Sequence, residues 1–430
     1  MVAAASLACA TEAAEAASVP WFAPWFTHVA SFWTAPQNTF KPTRLAVGAD
    51  SVWVADQEAN RIARFDLGGQ LLSVWDGTGT TGGALNGPNG LALSNDGAEL
   101  FVADTGNHRI VVVSAEDWSV RHEIGTGQGA GSEQFDNPND IDVWAGGIVP
   151  AGDGLLFVAD TGNNRVVRYQ FDTGSGKWQY AAAWGSSGDA AGQFNSPSGI
   201  ALDHHQMKVW VADTGNNRIQ VFEQDGTPLW SFGAAGTAAG QFQGPQDLAF
   251  ISSPLTLLVA DANNNRIQEW AINTAGTLTA TYRRSFGHSG AAGAEALANP
   301  QGVAVDKGQE GDLYVADTYN HRVQLWRRDT LGPRTYAYKK VTVRRYRYVS
   351  LTYKVTDAQA DKCYVEIRIF RNGVRKKTLT LGWRRPGSWQ TAKFLCKLAP
   401  GNYTWKVYAK DRAGNNQRSP IGYRGLVVQR

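Results

Sequence analysis

The chain has 430 residues, of which 43% are hydrophobic and 11% aromatic, enough to bury the cores of two or three domains. Its net charge of +3 conceals a strong division. Residues 1–330 carry 18 Lys and Arg against 34 Asp and Glu, a net charge of −16, whereas residues 331–430 carry 23 against 4, a net charge of +19. This composition excludes a disordered chain and predicts two parts of opposite charge.

Residues 1–26 are predicted to be a leader. They are mostly small and apolar, with no charge before Glu12, and resemble the tail of a secretory signal peptide without its basic start. The apolar run is too short to span a bilayer. We therefore expect a secreted or envelope-associated bacterial protein without a transmembrane span. Lipid attachment at Cys9 is an alternative, although Ser6 stands where such motifs usually have Leu.

A phrase close to VADTGNNRI occurs six times, each copy with the frame Asp-x4-Arg. The apolar run before Asp and the Ile or Val after Arg have strand composition, and the middle supplies Gly and Asn for positive φ. Each copy is therefore predicted to be an antiparallel hairpin. A position shared by six copies favours an architectural role for its Asp and Arg. The pairs are Asp56/Arg61, Asp104/Arg109, Asp160/Arg165, Asp213/Arg218, Asp261/Arg266 and Asp317/Arg322.

Two further strands accompany each hairpin. A Pro precedes a short apolar strand upstream, and a strand ending in an aromatic residue or Ile follows downstream of five hairpins. Successive repeat arginines lie 48, 56, 53, 48 and 56 positions apart, which suits units of four strands. The missing last strand is found at the N-terminus, in THVASFW at 27–33.

The repeats resemble NHL repeats, whose signature VADTGNHRI stands at 102–110. The resemblance covers about residues 28–330 and implies an all-β fold, a six-bladed β-propeller over 27–331 closed by the N-terminal strand. NHL propellers occur in RNA-binding and protein-binding regulators, in sensor domains of receptor-type kinases and in a lyase of peptide amidation. The fold therefore does not decide the function.

The resemblance also implies that the first strand of each unit is innermost. The residues after each Pro would then ring the mouth of a channel and bind the ligand: Arg44, Asn89, Asn139, Asp140, Gln246, Asp247 and Gln301. The fourth residue after Pro is Ala in five units but Asp142 in the third. Asp140, Asp142 and Asp247, with nearby amides, could hold Ca²⁺ or Mg²⁺. Apart from such an ion, no cofactor is expected. Alternatively, Asp142 contacts water or a neighbouring amide.

Other motifs give no catalytic residues. GTGTTG at 77–82 matches a dinucleotide fingerprint, but no helix is predicted after it. The seven His are scattered and do not reproduce the three-His zinc site of the amidating lyase. No Ser or Cys nucleophile has a recognisable partner. The sequence therefore leans away from an enzyme without excluding one.

Residues 332–430 are predicted to form a second, basic domain. Seven short strands in under a hundred residues, with Asn372-Gly373 as a hairpin turn, suggest an immunoglobulin-like or fibronectin-type sandwich. Cys363 and Cys396 lie on two predicted strands, and in an exported protein we expect them to form a disulfide.

These features favour a non-catalytic, monomeric binding protein. The propeller would bind a protein, peptide or glycan, and the basic domain would contact an anionic envelope polymer. One alternative is a metal-assisted lyase or hydrolase with a cation in the channel. Another is an RNA-binding regulator, which the charge of residues 1–330 disfavours because phosphate contacts need cations. No nucleic-acid partner is therefore expected. A solvated basic surface without a partner, or docking on the acidic repeats, also stays open.

Overall fold

The computed structural model describes residues 26–32, 40–144, 154–203, 206–252, 255–274, 277–290, 295–306, 311–328, 333–357, 362–411, 416–417 and 422–430. Cys9 and the predicted leader, except Phe26, lie outside them. The described residues form two compact units, residues 26–328 and 333–430. They contain strands and short 3₁₀ turns, which confirms the all-β expectation. No helix among them is long and apolar enough to cross a membrane.

Six antiparallel sheets of four strands make up the first unit. Their strands, in chain order, are β1 (Phe26–Phe32), β2 (Pro42–Val47), β3 (Ser51–Asp56), β4 (Arg61–Asp66), β5 (Leu71–Trp75), β6 (Leu91–Leu93), β7 (Glu99–Asp104), β8 (Arg109–Ser114), β9 (Val120–Ile124), β10 (Pro138–Trp144), β11 (Leu155–Asp160), β12 (Arg165–Asp172), β13 (Lys177–Trp184), β14 (Pro197–Asp203), β15 (Lys208–Asp213), β16 (Arg218–Phe222), β17 (Pro228–Phe232), β18 (Pro245–Ser252), β19 (Leu255–Asp261), β20 (Arg266–Asn273), β21 (Thr279–Phe286), β22 (His288–Ser289), β23 (Ala296–Leu297), β24 (Pro300–Val305), β25 (Leu313–Asp317) and β26 (Arg322–Arg328). Short 3₁₀ turns follow five of the repeat Asp residues, at Thr105–Asn107, Thr161–Asn163, Thr214–Asn216, Ala262–Asn264 and Thr318–Asn320.

We number the sheets I to VI. Sheets I to V are β2–β5, β6–β9, β10–β13, β14–β17 and β18–β21, and sheet VI is β24, β25, β26 and β1. In sheet VI the N-terminal strand β1 pairs antiparallel with β26, so that His28 lies opposite Trp326 and Phe32 opposite Val323. β22 and β23 form a small parallel pair between sheets V and VI.

The hydrophobic cores lie between neighbouring sheets. Six clusters join I with II, II with III, III with IV, IV with V, V with VI, and VI with I. The first strands of the six sheets contact one another in the same cyclic order, from β2 through β6, β10, β14, β18 and β24 back to β2. The Ala at the fourth position after Pro suits this crowding around a common axis.

The repeat turn uses its small residues in two different ways. The residue before each repeat Arg adopts positive φ; these residues are Asn60, His108, Asn164, Asn217, Asn265 and His321. The turn Gly does not, which corrects the expectation that Gly and Asn share that task. A Cβ added at Gly106 or Gly215 would lie within 2.7 Å of Asn86 or 2.5 Å of Asn195. Gly is therefore needed at these turns because the backbone approaches Asn86 and Asn195 too closely for a Cβ atom.

The second unit packs a three-stranded sheet against a five-stranded sheet around one core. The strands are β27 (Arg334–Ala337), β28 (Val341–Arg344), β29 (Tyr348–Thr356), β30 (Cys363–Arg371), β31 (Val374–Arg384), β32 (Trp389–Leu395), β33 (Gly401–Asp411) and β34 (Tyr423–Gln429). The smaller sheet has the order β27-β29-β32 and the larger β28-β34-β33-β30-β31.

The expected disulfide between Cys363 and Cys396 is wrong for this structure, in which both are buried thiols that are not joined to each other. The backbone N–H of Cys396 donates to the carbonyl of Arg347, before β29, whereas Cys363 Sγ lies 4.0 Å from the Asp357 carboxylate, after β29 ends. A strand of nine residues spans about 30 Å. A disulfide needs the Cα atoms of its two cysteines within about 7 Å of each other. Cys363 and Cys396, beside opposite ends of β29, are therefore too far apart to form one.

Candidate functional site

Three charged side chains meet on the axis of the six sheets, where the first strands begin. Arg44 on β2 is 2% exposed, and its Nε lies 3.6 Å from both Asp140 on β10 and Asp247 on β18. We call these three residues the axial cluster. They come from sheets I, III and V, so every second sheet contributes one residue.

The guanidinium of Arg44 also donates hydrogen bonds to groups from sheets III, V and VI. Its Nη2 lies 2.6 Å from the Gln246 carbonyl and 3.3 Å from Asn139 Oδ1, and its Nη1 donates to the Gln301 carbonyl. One side chain from sheet I therefore binds three other sheets and closes the axis at this end.

Glycines at the matching positions of sheets II, IV and VI make room for the cluster. These are Gly90, Gly199 and Gly302, each two residues after the repeat Pro. A Cβ on Gly90 would lie 2.6 Å from the Cα of Asp140, and one on Gly302 would lie 2.2 Å from the Thr43 carbonyl oxygen. The sequence alternates large charged residues with Gly around the ring, a signal that repeat alignment contains but that sequence analysis missed.

The carboxylates of the axial cluster bind backbone amides of the next sheet. Asp140 Oδ2 accepts from the N–H of Ile200 at 3.0 Å, and Asp247 Oδ2 accepts from Val303 at 2.7 Å. Burial raises the pKa of both carboxyls, and the Arg44 guanidinium opposes this rise. The charge of Asp247 adds to the rise in the pKa of Asp140.

Asp142 follows the same pattern further along β10. It is half-buried, and its oxygens accept from the N–H groups of Val143 at 2.8 Å and Leu202 at 2.7 Å. This is the alternative in which Asp142 bonds neighbouring amides. No group of three or more His, Cys, Asp or Glu suited to a metal is present within the described ranges. The positive charge beside Asp140 and Asp247 is the Arg44 guanidinium.

A cavity of about 120 Å³ lies along the axis beyond the cluster. All six first strands line it, and its walls are mainly Leu, Ile, Val and Ala side chains. Arg44, Asp140 and Asp247 bound it at one end, and Asp142 contributes the one charge on its wall. The cavity can hold a small molecule or ordered water.

The other predicted channel residues differ in exposure. Asn89 is buried, and its Oδ1 has no hydrogen-bond partner among the described atoms. Asn139, Gln246 and Gln301 are half-buried. The predicted ring therefore divides into a buried charged centre and a partly accessible margin of amides.

The six repeat pairs are ion pairs with the Asp fully buried. The Arg Nε to Asp Oδ2 distance is 3.0 Å for Arg61 and 2.7 Å for the other five. Each Asp also accepts a backbone N–H just before the first strand of its own sheet, as Asp213 does from Asn195 at 2.8 Å. Each pair joins the hairpin turn of a sheet to the segment that leads into the first strand of the same sheet, and these contacts occupy its charged groups.

The turn residues also connect neighbouring sheets. Thr105, Thr161, Thr214 and Thr318 each donate a hydrogen bond to the carbonyl of the Pro that begins the next sheet, and the bond from Thr318 reaches Pro42 in sheet I. His108 Nδ1 accepts the N–H of Asn137, and His321 Nδ1 lies 2.6 Å from the Phe40 carbonyl. Both His side chains are structural bridges.

The sequence profile described as the NHL repeat matches residues 85–113, 194–222 and 297–325. The chain carries NHL repeats at these three places. The sheets that contain these repeats contact one another in cyclic order, which is the arrangement of a β-propeller. These matches confirm the predicted resemblance at three of the six copies of the repeat phrase.

Several curated proteins are similar to parts of the chain. NHL repeat-containing protein 3 of Mus musculus is 30% identical over 213 residues, 45% of this chain and 55% of that protein. Peptidylglycine alpha-amidating monooxygenase of Rattus norvegicus is 33% identical over 146 residues, 32% of this chain and 14% of that protein. The chain thus spans about half the length of NHL repeat-containing protein 3.

Solved structures give weaker likenesses. The periplasmic gluconolactonase of Pseudomonas aeruginosa has a TM-score of 0.43 and 15% identity, covering 81% of this chain and 88% of that one. The β-propeller domain of Cps50 from Myceliophteria thermophila has a TM-score of 0.45 and 10% identity, covering 70% and 99%. Likenesses at this level say nothing about activity.

Proposed function

We propose that this chain is a non-catalytic binding protein of the cell envelope or exterior. Its six four-stranded sheets are the blades of a six-bladed propeller closed by β1, and its basic unit is an immunoglobulin-like sandwich. The propeller binds a protein, peptide or glycan, and the sandwich contacts an anionic surface.

The observation that carries this proposal is the closed axial cluster. Arg44 binds two carboxylates and three backbone or amide oxygens, and both carboxylates bind backbone N–H groups. Groups held by so many partners favour a rigid scaffold over acid–base chemistry. NHL repeat-containing protein 3 supports the repeat assignment over only part of its length.

The ligand-binding surface of the propeller is the amide margin around the axial cluster. Asn139, Gln246 and Gln301 come from three sheets and are half-buried there. Side-chain amides both donate and accept hydrogen bonds, which suits peptide backbones and sugar hydroxyls.

An array of peptides and glycans, probed with the full chain, tests this surface. We expect binding that weakens about tenfold when Asn139, Gln246 and Gln301 are changed together to Ala. The matched control is Gln179→Ala, since Gln179 is an exposed glutamine on the outer strand β13. Ligands that bind the triple variant and the parent equally would refute the placement.

The metal-assisted lyase or hydrolase remains the rival function, favoured by the two carboxyls of raised pKa at one site. Under the binding proposal, Arg44 supplies the positive charge that a cation would supply. We therefore expect less than about 0.1 equivalent of Ca²⁺, Mg²⁺ or Zn²⁺ after extensive dialysis, measured by mass spectrometry. About one equivalent, lost in Asp142→Ala, would support the rival.

A further inference from the structure

One face of the basic unit exposes an unusual number of aromatic rings. Tyr336 is 41% exposed, Tyr338 55%, Tyr348 75% and Trp389 49%. All lie on, or directly after, strands of the sheet β27-β29-β32. Together with Leu395 they are five of the eight large exposed hydrophobic residues in the described part of this unit. We call these five residues the aromatic face.

Strand alternation directs these side chains to one side. Along β29 every second residue is buried, including Val349 and Leu351, and the same alternation holds in β32 from Ala392 to Phe394. The residues between them are half-buried or exposed. Lys354 on the central strand lies opposite both Tyr336 and Trp389, and Tyr348 lies opposite Leu395. The exposed residues therefore form rows across three strands, on the side away from the core.

The rows extend along the length of the central strand. From Lys354 to Tyr348 is six residues along β29, about 20 Å. The rings of Tyr338 and Trp389 are 5.2 Å apart and cross at 69°. Between the rows lie the hydroxyls of Ser350, Thr352 and Thr391, with Thr352 and Thr391 directly opposite each other.

The charge of this face has one sign. Arg334, Lys354 and Lys393 lie on the same side of the sheet as the aromatic rings. The three strands contain no Asp or Glu. A partner that covers this face must therefore supply negative charge as well as apolar surface.

We propose that the aromatic face binds a strand of acidic polysaccharide. The C–H faces of pyranose rings stack on Tyr and Trp, the sugar hydroxyls pair with Ser and Thr, and uronate carboxylates bind the lysines. This inference rests on the proposed function, since it names the polymer and the face by which the sandwich contacts an anionic surface.

The details of the face favour a glycan over other polyanions. Bases of a single-stranded nucleic acid stack on successive ring faces, whereas Tyr338 and Trp389 cross edge to face. The central cations are Lys, which lack the planar fork by which Arg binds phosphate in two places. Leu395 is the one aliphatic member of the face, which is too little for insertion into a lipid surface.

Affinity electrophoresis of the full chain in gels containing polygalacturonate tests the proposal, with dextran as the neutral polymer. We expect retardation by polygalacturonate and little by dextran. Tyr338→Ala with Trp389→Ala should weaken binding about tenfold, and Lys354→Gln with Lys393→Gln should weaken it and lower its salt dependence. Tyr423→Ala is the matched control, since Tyr423 is 58% exposed but lies on β34 of the other sheet.

Two further probes separate the outcomes. Binding of oligo(dT), or of phosphatidylglycerol vesicles, that is stronger than binding of polygalacturonate overturns the glycan assignment. Polyanion binding that is unchanged in the face variants overturns this inference but leaves an anionic contact elsewhere on the sandwich. Absence of binding to every polyanion overturns both this inference and the proposed role of the sandwich.

Discussion

The axial cluster and the aromatic face use charged residues in opposite ways. In the propeller, the side chains of Arg44 and its two carboxylate partners are at most 7% exposed and bind one another and the backbone of several sheets. On the C-terminal unit, Arg334 and Lys393 are exposed, and the sheet that carries them has no acidic residue. Charge that is buried with its partners determines structure, whereas exposed charge of one sign is available to a ligand.

The largest effect should follow from removing the cation of the axial cluster. Arg44→Met leaves Asp140 and Asp247 buried without their counter-ion, and we expect the free energy of unfolding to fall by about 3–5 kcal/mol. Urea denaturation followed by Trp fluorescence measures it. The triple variant with Asp140→Asn and Asp247→Asn should recover most of the loss. A fall below about 1 kcal/mol would show that the cluster is not structural.

A repeat pair should be nearly as sensitive. Asp213 is fully buried and accepts hydrogen bonds from Asn195, Asn216, Arg218 and Gln220. Asp213→Ala should lower the free energy of unfolding by about 3 kcal/mol. Lys208→Ala, which breaks a partly exposed ion pair with Glu223 in the same sheet, should cost less than about 1 kcal/mol. Equal losses would contradict the distinction between buried and exposed charge.

The raised pKa of Asp140 predicts a pH dependence of stability. A carboxyl whose pKa is higher in the folded state stabilises the fold fully below the unfolded pKa and loses that contribution as pH rises through the folded pKa. Relative to Asp140→Asn, the parent should therefore lose stability as pH rises from the ordinary value of 3.8, by at most about 1.4 kcal/mol per pH unit. Urea denaturation at several pH values measures this difference, and a constant difference would contradict the raised pKa.

The smallest effect concerns the two cysteines of the basic unit. The two cysteines contact residues beside opposite ends of β29, so they are too far apart to form a disulfide. Reductant should therefore leave the melting temperature of the chain unchanged within about 1 °C. In a Cys9→Ser background, both remaining thiols should react with a thiol reagent after denaturation without reductant. A chain without reactive thiols would show that the disulfide forms after all.

The repeat frame let the sequence predict much of the propeller. The Asp-x4-Arg spacing located the hairpins, and Pro located the first strands, because both depend on local turn chemistry repeated six times. Counting strands predicts that THVASFW at 27–33 belongs to the last sheet, and β1 pairs with β26 of that sheet. Alignment of the repeats also identified Arg44, Asp140 and Asp247 as members of one ring.

What the sequence left open depends on side-chain contacts between distant segments. Arg44 and Gln246 are 202 positions apart, and only the fold shows that the Arg44 guanidinium binds the Gln246 carbonyl. The predicted cation site consists of Asp140, Asp142, Asp247 and nearby amides, and the repeat pattern alone does not show that the Arg44 guanidinium lies beside two of these carboxyls. The predicted disulfide is wrong because two cysteines in one small unit need not be neighbours. Cys396 and Cys363 contact residues at opposite ends of β29.

The hydrogen bond from a turn Thr to the Pro of the next sheet has an evolutionary consequence. Each unit that has the Thr carries a donor for the unit after it and a Pro carbonyl for the unit before it. A unit duplicated whole therefore brings both halves of the junction with it. Tandem duplication can lengthen such a gene without inventing a new interface, and selection can then alter single positions such as that of Arg44 in one copy at a time.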